Sequence, residues 1–306
     1  MAEPRRPATD TREQIAALID SGPVVTDGAW GTELQARGLP AGEFADLWNL
    51  SHPDKVEEVA RAYVEAGSRI ILTNTFRANR IALGAHAPAV DVAAVNRAGV
   101  KISRRAAARR QALVFASVGP SGKLLIAGQL SEAELCEAFA EQSQALARAG
   151  ADGIVIETMS DLAEARIAVR AALATGLPVV ACMAFDSGKN KDRTMTGVTP
   201  RQAAQELTRA GAHVIGANCG VGVEQAIALC AELAAASDRP VWIKPNAGLP
   251  EWCDGRVIYR VESAGFAACV PALVAAGARF VGGCCGTSPP FIAAICARLG
   301  YPAGSA

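Results

Sequence analysis

Short apolar runs rich in β-branched residues, each ending in glycine or a polar residue, alternate along the chain with alanine-rich stretches whose apolar residues recur every three or four positions. Eight runs stand out: Val24 to Gly28 (VVTDG), Ile70 to Phe76 (IILTNTF), Leu113 to Pro120 (LVFASVGP), Gly153 to Thr158 (GIVIET), Pro178 to Phe185 (PVVACMAF), Val214 to Gly220 (VIGANCG), Val241 to Gly248 (VWIKPNAG) and Arg279 to Cys285 (RFVGGCC). The pattern predicts strands there and helices between them, for example over Leu130 to Ala149 and Pro200 to Ala210. Gly67, Gly150, Gly211 and Gly277, each following an alanine, stand just ahead of the second, fourth, sixth and eighth runs. Such a glycine supplies the left-handed residue that ends a helix.

Strand-then-helix units repeated in this way, with no linker or change of composition between them, predict an α/β fold, a single (β/α)8 TIM barrel. It is expected to take up residues 1–306 as one domain, with a short N-terminal helix at about 11–21. Length alone would allow two domains of roughly 150 residues, but barrels run past 200 as one unit. A doubly wound sheet would need fewer strands and a glycine-rich first turn, and Gly28-Ala29-Trp30-Gly31 does not match the dinucleotide fingerprint. The one long predicted loop, Asp186 to Gly197, follows the fifth run.

Of the 306 residues, 51% are hydrophobic, and 30 Lys+Arg balance 30 Asp+Glu to a formal net charge of zero. That balance removes the broad basic footprint of a nucleic-acid binder and points to a small-molecule partner. The N-terminal arginines have no apolar run behind them, so no secretory signal is expected. The longest uncharged stretch, Ser263 to Ala278, contains Pro271 and falls short of the roughly 18 to 20 apolar residues of a spanning helix. A cytoplasmic protein with no membrane partner is the expectation. Nine cysteines, odd in number and clustered late, make a poor disulfide framework; in a reducing compartment they more often bind metal or do chemistry.

Barrel enzymes build their sites at the C-terminal ends of the strands. There the sequence places Asp27-Gly28, Thr73-Asn74-Thr75, Glu157-Thr158, Asn218-Cys219-Gly220, Asn246 and Cys284-Cys285-Gly286. Cys219 and the 284–285 pair end strands six and eight, on the order of 10 Å apart between backbones. Zinc with metal–sulfur bonds of about 2.3 Å can bridge that gap, and three protein ligands with one open position is the catalytic arrangement. A strained vicinal disulfide at 284 and 285 is the alternative. His213 begins strand six and falls near the opposite end of the barrel, so it is excluded as a ligand. Cys136, Cys182, Cys230, Cys269 and Cys296 are expected to be small apolar residues of the core.

DGAWGTELQ at 27–35, TNTF at 73–76, IETMSD at 156–161, GANCG at 216–220, KPNAGLP at 244–250 and GGCCGT at 282–287 together resemble the homocysteine S-methyltransferase family. That family includes betaine–homocysteine methyltransferases, S-methylmethionine-dependent enzymes and the homocysteine-binding module of cobalamin-dependent methionine synthase. The resemblance covers nearly the whole chain, and its most specific part is the GANC and GGCCG pair. It implies one zinc per chain held by the thiolates of Cys219, Cys284 and Cys285, and methyl transfer to the thiol of homocysteine or a related thiol or selenol. It also implies Glu157 as partner of the homocysteine amino group, with Asp27 and Gly28 contributing acceptors and Thr73 and Asn74 completing the amino-acid pocket. Asn218 and Asn246 either touch ligand or brace the rim loops.

The family's methyl donors are sulfonium, quaternary ammonium or methyl-cobalt compounds: betaine, S-methylmethionine, S-adenosylmethionine or a methyl-corrinoid. The chain is too short for the folate and cobalamin modules of the large methionine synthases, so a free donor or a separate corrinoid protein is expected. Trp30 is a candidate wall for a cationic donor; Phe76 and Trp48 either line a pocket or pack. Lys189, Lys191 and Arg193 could meet an acidic donor or partner protein, or form a solvated loop. Two other readings stay open: a lyase or aldolase with Lys244 as Schiff-base lysine, and a zinc or redox sensor on an inactive barrel.

Overall fold

A computed structural model describes residues 10–123, 125–253 and 256–301. Eight strands carry the fold: β1 (Val24–Val25), β2 (Ile70–Ile71), β3 (Leu113–Val118), β4 (Gly153–Met159), β5 (Val179–Met183), β6 (Val214–Gly222), β7 (Val241–Asn246) and β8 (Ala278–Val281). They pair in parallel in the order β1-β8-β7-β6-β5-β4-β3-β2. A parallel bridge between Thr26 and Ile70 joins the two ends of that order, so the sheet closes on itself as the repeated units predict. Helices at Pro53–Ala66, Val92–Ala107, Glu132–Arg148, Leu162–Leu173, Pro200–Arg209, Val223–Ala236, Ser263–Ala275 and Pro289–Arg298 follow the strands in turn. Gly67 ends the first of these in a left-handed conformation, and Gly150, Gly211 and Gly277 also have positive φ.

The barrel interior is filled by alternate strand residues, including Val24, Phe115, Val155, Val180, Val214, Trp242 and Phe280, together with Ile15 of the N-terminal helix Thr11–Ile19. Trp242 stacks on Phe280 at 5.2 Å between ring centroids. Every second residue of a strand faces inward, and the others pack under the helices. His213 accepts a hydrogen bond from Val179 N–H at 3.1 Å and feels the charges of Asp10 and Arg12, which places it at the N-terminal end of the barrel.

β1 and β2 are shorter than the sequence predicts because side chains replace the ladder. Leu72 N–H donates to Asp27 Oδ2 at 2.7 Å, and Ser117 N–H donates to Thr73 Oγ1 at 3.1 Å. The segments after Val25 and Ile71 are thereby turned toward the rim. Two features lack a sequence prediction. Short helical turns at Gly31–Ala36, Ala45–Leu47 and Trp48–Ser51 fold over the rim after β1, and an antiparallel hairpin pairs Glu251–Cys253 with Arg256–Ile258 after β7.

The cysteine expectations divide. Cys182, Cys230 and Cys296 are buried, but Cys136 is exposed and Cys269 partly exposed. Both fall on the outer faces of their helices, since Leu135 and Phe139, and Phe266 and Val270, are the residues turned inward. Among the described residues, no helix is long and apolar enough to cross a membrane.

Candidate metal centre and substrate pocket

Three thiols meet at the C-terminal rim. The β6–β7 register breaks between Asn218 and Gly222, and Cys219 adopts φ +61 with Gly220 at +74. A left-handed conformation at a cysteine is strained, and strain of this kind persists where the surroundings enforce it. It turns Cys219 out of the ladder toward the loop after β8. That loop is fixed to β7 by Cys284 N–H on the Pro245 carbonyl at 2.8 Å and Ala247 N–H on the Cys285 carbonyl at 2.9 Å. The three sulfurs lie within 4.8 Å of one another, and Cys219 Sγ is 3.8 Å from Cys285 Sγ. A tetrahedral ion with metal–sulfur bonds of about 2.3 Å requires sulfurs about 3.8 Å apart. The cluster therefore fits a thiolate-bound metal in both chemistry and spacing.

Each sulfur has a neutral polar neighbour. The Asn246 amide hydrogen-bonds Cys219, Asn218 Nδ2 lies 3.9 Å from Cys284 Sγ, and the Tyr259 hydroxyl hydrogen-bonds Cys285. Taken as thiols, the cluster shares its protons unevenly. Hydrogen bonds from Cys284 and Cys285 draw Cys219 down to about 3, while the same contacts push Cys285 up to about 12 and Cys284 well above the usual thiol range. Gly286, at φ +80, is required beside the pair because the Tyr259 ring occupies the space a Cβ would need.

The thiols form one wall of a cavity of about 340 Å³ that Gly28, Thr73, Asn74 and Glu157 also line. Trp30, Glu43, Asp46, Phe76, Arg77, Ser117 and Lys244 complete much of its surface. Of the residues singled out by sequence, Asp27, Asn218 and Asn246 stand behind this lining instead of on it. Asp27 is fully buried. Its Oδ1 is ion-paired with Lys244, and its Oδ2 accepts from Leu72 N–H and the Trp30 indole, each at 2.7 Å. Asn218 ties β6 to β4, accepting from Thr158 N–H and donating to Thr158 Oγ1, each at 2.7 Å.

Glu157 accepts a short hydrogen bond from Ser117 Oγ, and Asn218 Nδ2 lies 3.4 Å from its other oxygen. Burial raises its pKa, opposed by the charge of Lys244 and the bond from Ser117. Thr73 belongs to a hydroxyl chain with Thr75 at 2.6 Å, and Asn74 donates to the Ala45 carbonyl at 2.7 Å, which holds the short helical turns over the pocket. The loop at 186–197 contributes no lining residue; Lys191 Nζ donates to the Asp186 carbonyl at 2.7 Å.

Lys244 does not suit Schiff-base chemistry. Burial works against its charge, but Asp27 and Glu157 outweigh burial and raise its pKa. A nucleophilic amine has to be neutral, whereas this one is held as ammonium. Ser117, Glu43, Asp46, Arg77 and Tyr259 were not singled out by sequence. Ser117 is next to last in β3 and Arg77 directly follows the second run, so the strand-end rule could have found both; Glu43, Asp46 and Tyr259 lie in or beside the rim insertions.

A family model described as homocysteine S-methyltransferase matches residues 24–299. The chain belongs to that family. Betaine–homocysteine S-methyltransferase 1 of Bos taurus is 30% identical over 316 residues, covering 95% of this chain and 75% of that protein. Methionine synthase of Mycobacterium tuberculosis is 31% identical over 300 residues, covering 90% of this chain but 24% of that protein, so the chain spans about a quarter of the methionine synthases it matches. The homocysteine methyltransferase MmuM from Escherichia coli, in its metallated form, superimposes with a TM-score of 0.76 at 27% identity, over 93% of this chain and 99% of that one. Family membership is the level at which the sequence resemblance is confirmed, and the fold agrees with it.

Proposed function

We propose that the chain transfers an activated methyl group to the thiol of homocysteine, forming methionine, with zinc held by Cys219, Cys284 and Cys285. The observation that carries this reading is the opening of three thiols, all within 4.8 Å of one another, onto a cavity that also presents Glu157. When bound, zinc with three thiolate ligands lowers the pKa of an incoming thiol while leaving its sulfur nucleophilic.

The chain's own groups position the reactants. Glu157, oriented by Ser117 and Asn218, receives the substrate ammonium, and Gly28, Thr73 and Asn74 close the amino-acid end. Asp27 acts from behind the wall by fixing the Trp30 indole, and Asn246 holds the Cys219 sulfur. The thiol gives up its proton to solvent, and its sulfur forms a bond to the methyl carbon as the bond from that carbon to the donor breaks, the donor keeping the electron pair. Among betaine, S-methylmethionine, S-adenosylmethionine and a methyl-corrinoid, the lining favours a cationic onium donor. Trp30 and Phe76 offer aromatic faces and Glu43 a carboxylate, a combination that attracts a cation and from which the donor departs as a neutral amine or sulfide. Three thiols maintained as metal ligands suit the reducing cytoplasm.

Cys219→Ser tests this reading. The variant should lose bound metal and methyl transfer while keeping the circular dichroism of a folded barrel. Full activity without metal would refute it.

A further inference from the structure

Lys244 is the one lysine or arginine that is buried among the described residues, at 2% exposure. It projects from β7 to the cavity wall, pairs with Asp27 just after β1 and acts electrostatically on Glu157 of β4. One cation is thus shared by two buried carboxylates. Only one of the two carboxylates, that of Glu157, faces the cavity; Asp27 has both oxygens engaged behind it. Two carboxylates in one buried site without a counter-charge cannot both stay ionised, and one takes up a proton. A protonated Glu157 would be a poor partner for an ammonium group.

We propose that Lys244 is a positioning residue that makes the pocket select thiols bearing an α-ammonium group, because by neutralising Asp27 it leaves Glu157 as the carboxylate that faces the substrate. The inference rests on the function proposed above. Lys244 need not touch the substrate. Its ion pair with Asp27 adds no net charge, so of the group Asp27, Lys244 and Glu157 only the Glu157 carboxylate brings an unbalanced charge to the cavity, complementary to one ammonium.

Calorimetric titration of the zinc-loaded protein compares homocysteine with 4-mercaptobutyrate, which has the same chain and carboxylate but no amino group. A hydrogen bond to a charged group sets the expected preference for homocysteine at about 10- to 100-fold. Lys244→Met should reduce it to within about threefold by weakening homocysteine alone, and Lys244→Arg should restore most of it. The double variant Asp27→Asn with Lys244→Met removes a neutral pair and should regain the preference, which a purely structural role of Lys244 would not produce. Should Lys244→Met not fold, Lys244→Gln, which keeps a donor for Asp27 without the charge, takes its place. An unchanged preference in the single variant, or no recovery in a folded double variant, would overturn the proposal. A wild-type protein that binds neither thiol would overturn the function itself, and zinc content measured alongside separates that case from loss of metal.

Discussion

Ser117→Ala removes the hydroxyl that donates to Glu157 Oε1. The remaining donor, Asn218 Nδ2, stands at 3.4 Å, a weak contact that cannot compensate. A hydrogen bond to a charged group contributes about 1.5–3 kcal/mol, and the carboxylate concerned is the proposed partner of the substrate ammonium. Homocysteine affinity at neutral pH should therefore fall, by no more than the roughly 10- to 100-fold that the ammonium–carboxylate contact itself supplies. The pH dependence has a definite sign. Burial already raises the Glu157 pKa and Ser117 opposes it, so the variant's carboxyl goes higher still. The ratio of wild-type to variant affinity should then shrink as pH rises and Glu157 ionises in both. The fold should be little affected, because the Ser117 backbone N–H and carbonyl still serve Thr73 and Thr75. Calorimetric titration with homocysteine at several pH values, with a thermal melt alongside, reads all of this. Equal affinities in the two proteins across the pH range, with equal melting temperatures, would refute the role given to Glu157.

Asp46, at 2% exposure, accepts Arg77 N–H at 2.8 Å and is pushed up to about 6, chiefly by burial. Its folded value lies above the unfolded one, so its contribution is fully present below the model-peptide value of 3.8 and is lost as pH rises through about 6. Asp46→Asn keeps the acceptor for Arg77, should add up to about 3 kcal/mol of stability at neutral pH, and should flatten the pH slope in urea unfolding; a variant less stable than wild type at neutral pH would contradict this. Gly286→Ala places a Cβ against the Tyr259 ring at φ +80. A left-handed alanine costs about 1–2 kcal/mol, and displacing the ring takes its hydroxyl from Cys285, so a lower melting temperature and faster loss of zinc to a chelator are expected; an unchanged melting temperature would contradict it.

The β-branched runs gave the strand count because buried parallel strands need little else, and the rim rule located the thiols because Cys219 sits at the break in pairing near the end of β6 and Cys284 and Cys285 just past the end of β8. The same rule put Asp27 at the rim and the family resemblance made it a substrate acceptor, whereas barrel closure brings it against Lys244, 217 positions away in sequence, and turns its carboxylate from the cavity. No local pattern encodes that pairing. The hairpin at 251–258 has strands of 3 residues each, too short to show alternation, although an Asp254-Gly255 pair between them is a turn signal. Cys136 and Cys269 were misplaced because an alanine-rich helix hides which face is apolar: a small residue marks neither side.

Zinc analysis of the purified, reduced protein, with zinc-edge X-ray absorption before and after homocysteine, tests the central claim. The account predicts one zinc per chain with three sulfur neighbours that become four when the thiol binds. Absence of zinc, or a sulfur count that homocysteine does not change, would contradict it.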